Sequence, residues 1–440
     1  MAAIDPLPLL TDALEPLPCL DDAAFAAAFD RFADCRVVLL GESTHGTREF
    51  YRARAAITRR LVERHDFDFI AVEADWPDAA SLHRYAQGQQ AEPVADGAFE
   101  RFPQWMWRNT EVQALAEWMR AHNAARTGGR GLGFYGLDLY SLGRSMRAVL
   151  SYLEQVDPQA AAIARQRYGC LSPWQSAPAD YGQAVLESAY GKCEHAVVQQ
   201  CRDLLAQQLA YVQGGPGQGE AFLDAAQNAR LVAAAERYYR TMYYGGAESW
   251  NLRDTHMFDT LMALLEAHGP QSRGVVWAHN SHIGDARATE MGWASGELNI
   301  GQLCRQQLGK AAALVGFGTH DGFVAAASRW DGPMEVKAVR PSRPGSVEHL
   351  CHATGVPQFL LDLRDRAPEA LRQALSEERL QRFIGVLYLA HSELHSHYAQ
   401  VRLAGQFDAY VWFDHTGAVA ADVAGAPAAG GMPDTFPSGL

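Results

Sequence analysis

In Gly41-Glu42-Ser43-Thr44-His45-Gly46-Thr47-Arg48-Glu49, an acid, two hydroxyls and an imidazole occupy four consecutive positions. A carboxylate that orients an imidazole through one ring nitrogen leaves the other as a general base, so Glu42 and His45 suit proton removal from water or an alcohol. Farther along, Glu73 and Asp75 stand in Glu73-Ala74-Asp75-Trp76-Pro77, and Asp138 follows Gly133-Phe134-Tyr135-Gly136-Leu137. Two more imidazoles lie three residues apart in His279-Asn280-Ser281-His282. Singly, each has a plain structural reading: a lone histidine is more often a hydrogen-bonded core residue, and Asp75 suits a cap for a helix beginning near Pro77. Together they form an acid–base set if the fold gathers them.

The opening turn nearly spells a phosphate-binding loop but lacks the lysine that reaches the phosphates. It also fails as a nucleophile elbow, because His45 stands where Gly-x-Ser-x-Gly requires its second glycine. Ser43 is therefore read as a turn or capping hydroxyl. The set Glu42, His45, Glu73, His279 and His282 also satisfies the ligand vocabulary of zinc or manganese. His-x-x-His directly after a strand matches no specific zinc-protease pattern, so water activated by a histidine base is preferred and the metal is kept as the alternative.

Every candidate follows a short apolar run: Val37–Leu40, Phe67–Val72, Leu132–Leu137 or Gly274–Ala278. Chemistry at successive strand ends is what an open parallel sheet presents. A helical pattern runs from Thr47 to about His65; on it, Arg52 and Arg54 form either a solvated face or an arm reaching back to the turn. Further strands are expected at 312–317 (leading into Gly318-Thr319-His320-Asp321), 359–363, 383–388 and 408–413. The expected fold is α/β: an open, mostly parallel sheet with flanking helices and an inserted all-helical subdomain over the C-terminal edge of the strands. Residues 1–156 and 269–416 form the two halves of the α/β core. Residues 157–268 form the insert, roughly four helices around a Gly214-Gly215-Pro216-Gly217 turn, and 417–440 form a loosely ordered tail. The aromatic-rich loop at 88–110 offers Trp105 as a substrate wall.

A formal charge of −13 over 440 residues argues against nucleic acid or an anionic membrane as the main partner. The seven cysteines are scattered without a CxxC, which reads as reduced thiols in a cytoplasm rather than a disulfide framework. The first twenty residues lack the pattern of a signal peptide, and no run approaches the ~18 apolar residues of a membrane span. A cytoplasmic protein acting on a small molecule is expected, with an oligomeric state that the sequence does not reveal.

Four motifs occur in order: Gly41-Glu42-x-x-His45-Gly46-x-x-Glu49; Glu73 after the second strand; Asn251-x-Arg253-Asp254-x-x-Met257; and Ala278-His279-Asn280-x-His282. From about residue 30 to 415, the chain resembles the erythromycin esterase family. The resemblance implies an α/β sheet whose helical portion forms a large cleft. It also implies hydrolysis of a macrolide lactone ester by activated water, without an acyl-enzyme, and it allows a metal in some members. Carried over by position, His45 is the general base, and Glu42 and Glu73 orient it or the water. His279 and His282 polarise the ester or protonate the leaving alkoxide, and Arg54 and Arg253 are site arginines. Asp75, Trp105 and Asp138 complete the candidate substrate contacts, and no cofactor is expected. Two other readings stay open: a metal-dependent hydrolase using the same residues, and a family member that binds a small molecule without turning it over. The substrate is not implied, since motifs at the chemistry say nothing of the cleft walls.

Overall fold

The computed structural model describes residues 5–93, 98–128, 130–187, 191–208, 211, 218–364 and 367–421. One nine-stranded sheet contains β1 (Glu15–Pro16), β2 (Val37–Leu40), β3 (Phe69–Asp75), β4 (Gly133–Asp138), β5 (Gly274–Trp277), β6 (Ala312–Ala326), β7 (Glu335–Val339) and β8 (Gln358–Asp362), and is completed by β11 (Ala409–Thr416). β9 (Arg379–Arg382) and β10 (Tyr398–Val401) form a separate antiparallel pair. Across the large sheet the order is β1-β8-β11-β6-β2-β5-β3-β4, with β7 paired to β6. From β11 to β4 all neighbours run parallel. Only the β1, β7 and β8 pairings are antiparallel. The fold is thus the expected mostly parallel α/β sheet with flanking helices.

Both faces of the sheet are covered, which is why its strands read as unbroken apolar runs. Val37, Leu39, Phe69 and Ala71 point into one core layer, shared with the helices Leu142–Val156, Gln218–Thr241 and Glu248–His268. Val38, Leu40, Ile70 and Val72 alternate into the other layer, beneath the helices Arg48–His65 and Thr110–Ala125. Between 157 and 268 the described residues form five α-helices, one more than expected. The Gly214–Gly217 turn lies outside the described residues.

Several expectations need correction. β3 continues to Asp75 through a register shift after Val72, so Glu73 and Asp75 are strand residues. β6 does not end at Phe317: it runs through Gly318-Thr319-His320-Asp321 and then pairs with β7. Residues 383–388 are not a strand. Ile384 instead bonds the His45 turn, its N–H donating to the Ser43 carbonyl at 2.8 Å, and Leu387 bridges Ala327. The loose tail does not begin at 417 either. The Gly417 N–H donates to Glu49 at 2.7 Å, and the Val419 N–H donates to the Gly46 carbonyl at 3.0 Å. Residues 422–440 lie outside the described residues. Finally, Cys170 and Cys193 are paired as a disulfide, their Cα atoms 6.0 Å apart, whereas Cys19, Cys35, Cys201, Cys304 and Cys351 are free thiols as expected.

Candidate active site

Strand order decides the site. β2, β5, β3 and β4 are consecutive neighbours, so the His45 turn, His279, Glu73 and Asp138 meet along one stretch of the sheet edge. The turn after β2 is packed too tightly for other residues at its glycines. A Cβ on Gly41 would fall 2.1 Å from the Asn280 side-chain oxygen, and one on Gly46 would fall 2.0 Å from the Ala325 carbonyl. Asn280 pins the neighbouring turn, its side chain bonding the Phe317 backbone at 2.7 and 3.2 Å while its N–H donates to the Glu42 carbonyl.

His45 and Glu42 form a buried dyad, Nδ1 to Oε1, at 2.9 Å. Arg54 reaches back from its helix and donates to the other Glu42 oxygen at 2.6 Å. Its guanidinium lies between the rings of Tyr51 and Trp277, 4.5 and 4.7 Å from their centroids, and the Tyr51 hydroxyl donates to the His45 carbonyl. With Nδ1 donating to the carboxylate, Nε2 is the nitrogen left to accept a proton. His45 lines the cleft above the sheet edge.

A second network centres on Glu73. One carboxylate oxygen accepts from Arg253 at 2.8 Å and lies 3.3 Å from His282 Nε2; the other accepts the His279 backbone N–H at 2.8 Å. Burial opposes its charge, but His282, His45 and Arg253 hold its carboxyl well below the usual range. Arg253 also grips Asp138 through two nitrogens at 3.0 and 2.7 Å. His282 is fully buried, with Nδ1 2.9 Å from both Asp254 oxygens and its ring stacked on Trp250 at 4.6 Å. Burial disfavours its charge, yet the Asp254 and Glu73 carboxylates prevail and raise its pKa to about 9. An imidazolium at neutral pH, sealed from the cleft, is suited to fixing Glu73 rather than to passing a proton to substrate.

His279 is the opposite case. Its Nδ1 accepts from the Ser281 hydroxyl at 2.9 Å and caps the following backbone turn, which puts the ring proton on Nε2. Burial and the neighbouring His45, 4.8 Å away between ring centroids, hold its pKa well below the usual value. It is therefore a neutral imidazole packed behind His45.

The cleft holds about 90 Å³. His45, Glu73, Asp138 and Arg253 form its inner end. Asp75 lines it as well, accepting from the Tyr140 N–H, the Ser141 hydroxyl and Arg101, while burial pushes its pKa up. Asp78 beside it is raised to about 6 by burial and by Asp75. Trp105 does not line the cleft; it packs edge-on to Phe102 at 5.3 Å, and Trp107 occupies the wall instead. Glu42, Arg54, His279 and His282 stand behind the lining. Sequence reasoning assigned no role to Asp254 or Trp250, whose contacts with His282 come from a helix 28 residues or more upstream. Tyr51 and Arg101 were missed too, having only composition to mark them.

The donor set does not fit a metal ion. Glu42 is committed to His45 and Arg54, Glu73 to Arg253, His282 and a backbone N–H, and the two His282 ring nitrogens face Asp254 on one side and Glu73 and Arg253 on the other. Arg54 and Arg253 supply the positive charge that a divalent cation would bring. Among the described residues no cluster of three or more His, Cys, Asp or Glu is arranged to hold one. Nor, among those residues, is any helix long and apolar enough to cross a membrane.

A strand-end acid–base set in a cleft over a parallel sheet, together with the relatives described next, defines an α/β enzyme that hydrolyses esters. The chain belongs to the erythromycin esterase family, whose model matches residues 62–416. That span takes in Glu73, Asp138, Arg253, His279 and His282 but begins after the His45 turn and Arg54. The chain is 23% identical over 363 residues to erythromycin esterase type II of Escherichia coli, covering 77% of this chain and 83% of that protein. It is 21% identical over 402 residues to the putative hydrolase YbfO of Bacillus subtilis (strain 168), covering 86% and 83%. In fold it is similar to a crystal structure of a succinoglycan biosynthesis protein, with a TM-score of 0.78 at 20% identity over 94% of this chain and 97% of that one. A mutant erythromycin esterase in its open conformation gives 0.66 at 19% identity, covering 90% and 95%.

Proposed function

We propose that this enzyme hydrolyses a carboxylic ester or lactone with water activated by His45, without a covalent acyl-enzyme. The observation that carries the reading is the buried Glu42–His45 dyad opening onto the cleft through the imidazole. Glu42 orients the ring; Nε2 takes a proton from water as its oxygen attacks the ester carbonyl, and returns it to the alkoxide oxygen as the tetrahedral intermediate collapses, its ester C–O bond breaking to give acid and alcohol. Glu73, held ionised by Arg253 and His282, stands at the inner end of the cleft, where it orients that water and stabilises the imidazolium formed at His45. Among the described residues no serine, threonine or cysteine lines the cleft, which favours water over an enzyme nucleophile. Erythromycin, named by the E. coli relative, is one substrate to try.

His45→Ala tests the reading. A general base of this kind contributes ~10²–10⁴-fold, so kcat should fall by that factor while the circular dichroism spectrum is unchanged. Turnover at the wild-type rate would refute the assignment. Rapid quenching with intact-protein mass spectrometry tests the other half: an acyl adduct on the enzyme during turnover would replace water attack by nucleophilic catalysis.

A further inference from the structure

The cleft that contains the proposed base is small. About 90 Å³ is under a third of the low end of the ~300–1,000 Å³ found for sites that hold drug-sized ligands. Its walls are bulky: Phe99, Phe102, Trp107 and Trp330 face an inner end made by His45 and Arg253. The Phe102 and Trp330 rings meet 4.9 Å apart, fastening the loop after β3's helix to the turn between β6 and β7. Four carboxylates line the space (Glu73, Asp75, Asp78 and Asp138), and Asp78 is paired with Arg144 from outside it. Arg253 is consumed by Asp138 and Glu73, and Arg101 is bonded to Asp75.

From these features we infer that the substrates are esters of short, uncharged acyl groups rather than macrolactones. The inference rests on the ester-hydrolase reading above. A linear ester needs only its acyl half inside the cleft and leaves the alcohol half at the mouth. In a macrolactone both sides of the ester belong to one ring, so the acyl and alkoxy arms must enter together. With every lining carboxylate and guanidinium already paired, the described lining offers no spare cation to a succinyl or other anionic acyl group. The acyl chain lies against the aromatic wall, and Trp330 sets how long it can be.

The experiment compares p-nitrophenyl acetate, butyrate and octanoate, an anionic succinyl ester and a 14-membered macrolactone, on wild-type enzyme and on Trp330→Ala. Acetate or butyrate should exceed octanoate in kcat/KM by ~10-fold or more, the range over which a hydrophobic pocket discriminates by size. The succinyl ester should be slower than butyrate, and the macrolactone should remain intact. Trp330→Ala should raise the octanoate-to-acetate ratio by ~10-fold, a readout that a simple loss of folded protein does not move. Octanoate or macrolactone turned over as fast as acetate by the wild type would overturn the inference and leave ester hydrolysis standing. No hydrolysis of any member of the panel would overturn the ester-hydrolase reading itself, and this inference with it.

Discussion

Replacing Asp254 by asparagine probes the charge that holds Glu73 in place. His282 sits at about 9 against an ordinary 6.5, with burial opposing the charge and Asp254 the largest influence in its favour. At about 1.4 kcal/mol for each pH unit, that difference corresponds to about 3 kcal/mol of pH-dependent stability. Because the folded value lies above the unfolded one, the stabilisation is fully present below pH 6.5 and is lost as pH rises through about 9. Asp254→Asn keeps the shape and can still accept the Ile300 N–H, but it removes one of the two carboxylates facing the imidazole. Glu73 remains, so the His282 pKa should drop toward its ordinary value without an Asp254 contribution, and the slope of stability between pH 6.5 and 9 should flatten. Breaking a buried pair costs ~3–5 kcal/mol at neutral pH, and the isosteric change should fall at the low end. Urea unfolding at several pH values, with the ring carbon of His282 followed by NMR, measures both effects. An unchanged slope and an unchanged His282 titration in the variant would refute the argument that Asp254 holds the imidazolium.

Three further outcomes follow from the geometry. Glu42→Gln leaves a group beside His45 but no carboxylate to stabilise its protonated form; kcat should fall ~10²–10⁴-fold with little change in KM, measured by steady-state kinetics. Gly46→Ala forces a methyl into the Ala325 carbonyl, which should cost ~1–3 kcal/mol and show as a lower melting temperature. Trp107→Ala should raise KM by opening the cleft wall, whereas Trp105→Ala should destabilise the loop by ~3–5 kcal/mol as a core truncation; equal effects on KM would deny the distinction between the two tryptophans.

The strand ends were legible because one rule, chemistry beyond the carboxyl ends of parallel strands, applied to four apolar runs in turn. It identified Glu42, His45, Glu73, Asp138, His279 and His282 without knowledge of strand order. What it lacked was depth. Nothing in His279-Asn280-Ser281-His282 tells that one imidazole is neutral and the other charged, since each state is set by partners from β3 and from the Glu248–His268 helix. Arg54 was readable as a helix residue near the turn, but its burial between two rings was not. The loop holding Trp105 and Trp107 has no periodicity to say which ring faces the cleft. The apolar segment at 383–388 has a strand's composition, but its backbone groups bond the His45 turn, Ala327 and His397 instead of a strand of the sheet.

The strap formed by Gly417 and Val419 has a consequence for how the enzyme comes into being. It closes the His45 turn with contacts between groups such as Gly417 and Glu49, 368 residues apart in the chain. During synthesis at ~5–20 residues per second, the His45 turn emerges roughly 20 s or more before the segment that fastens it. The nascent chain can lay down its first strands and helices early, but the working end of β2 is completed only once Gly417 and Val419 have emerged. Fusions and truncations made close after Thr416 therefore act on the His45 turn across 368 residues of chain.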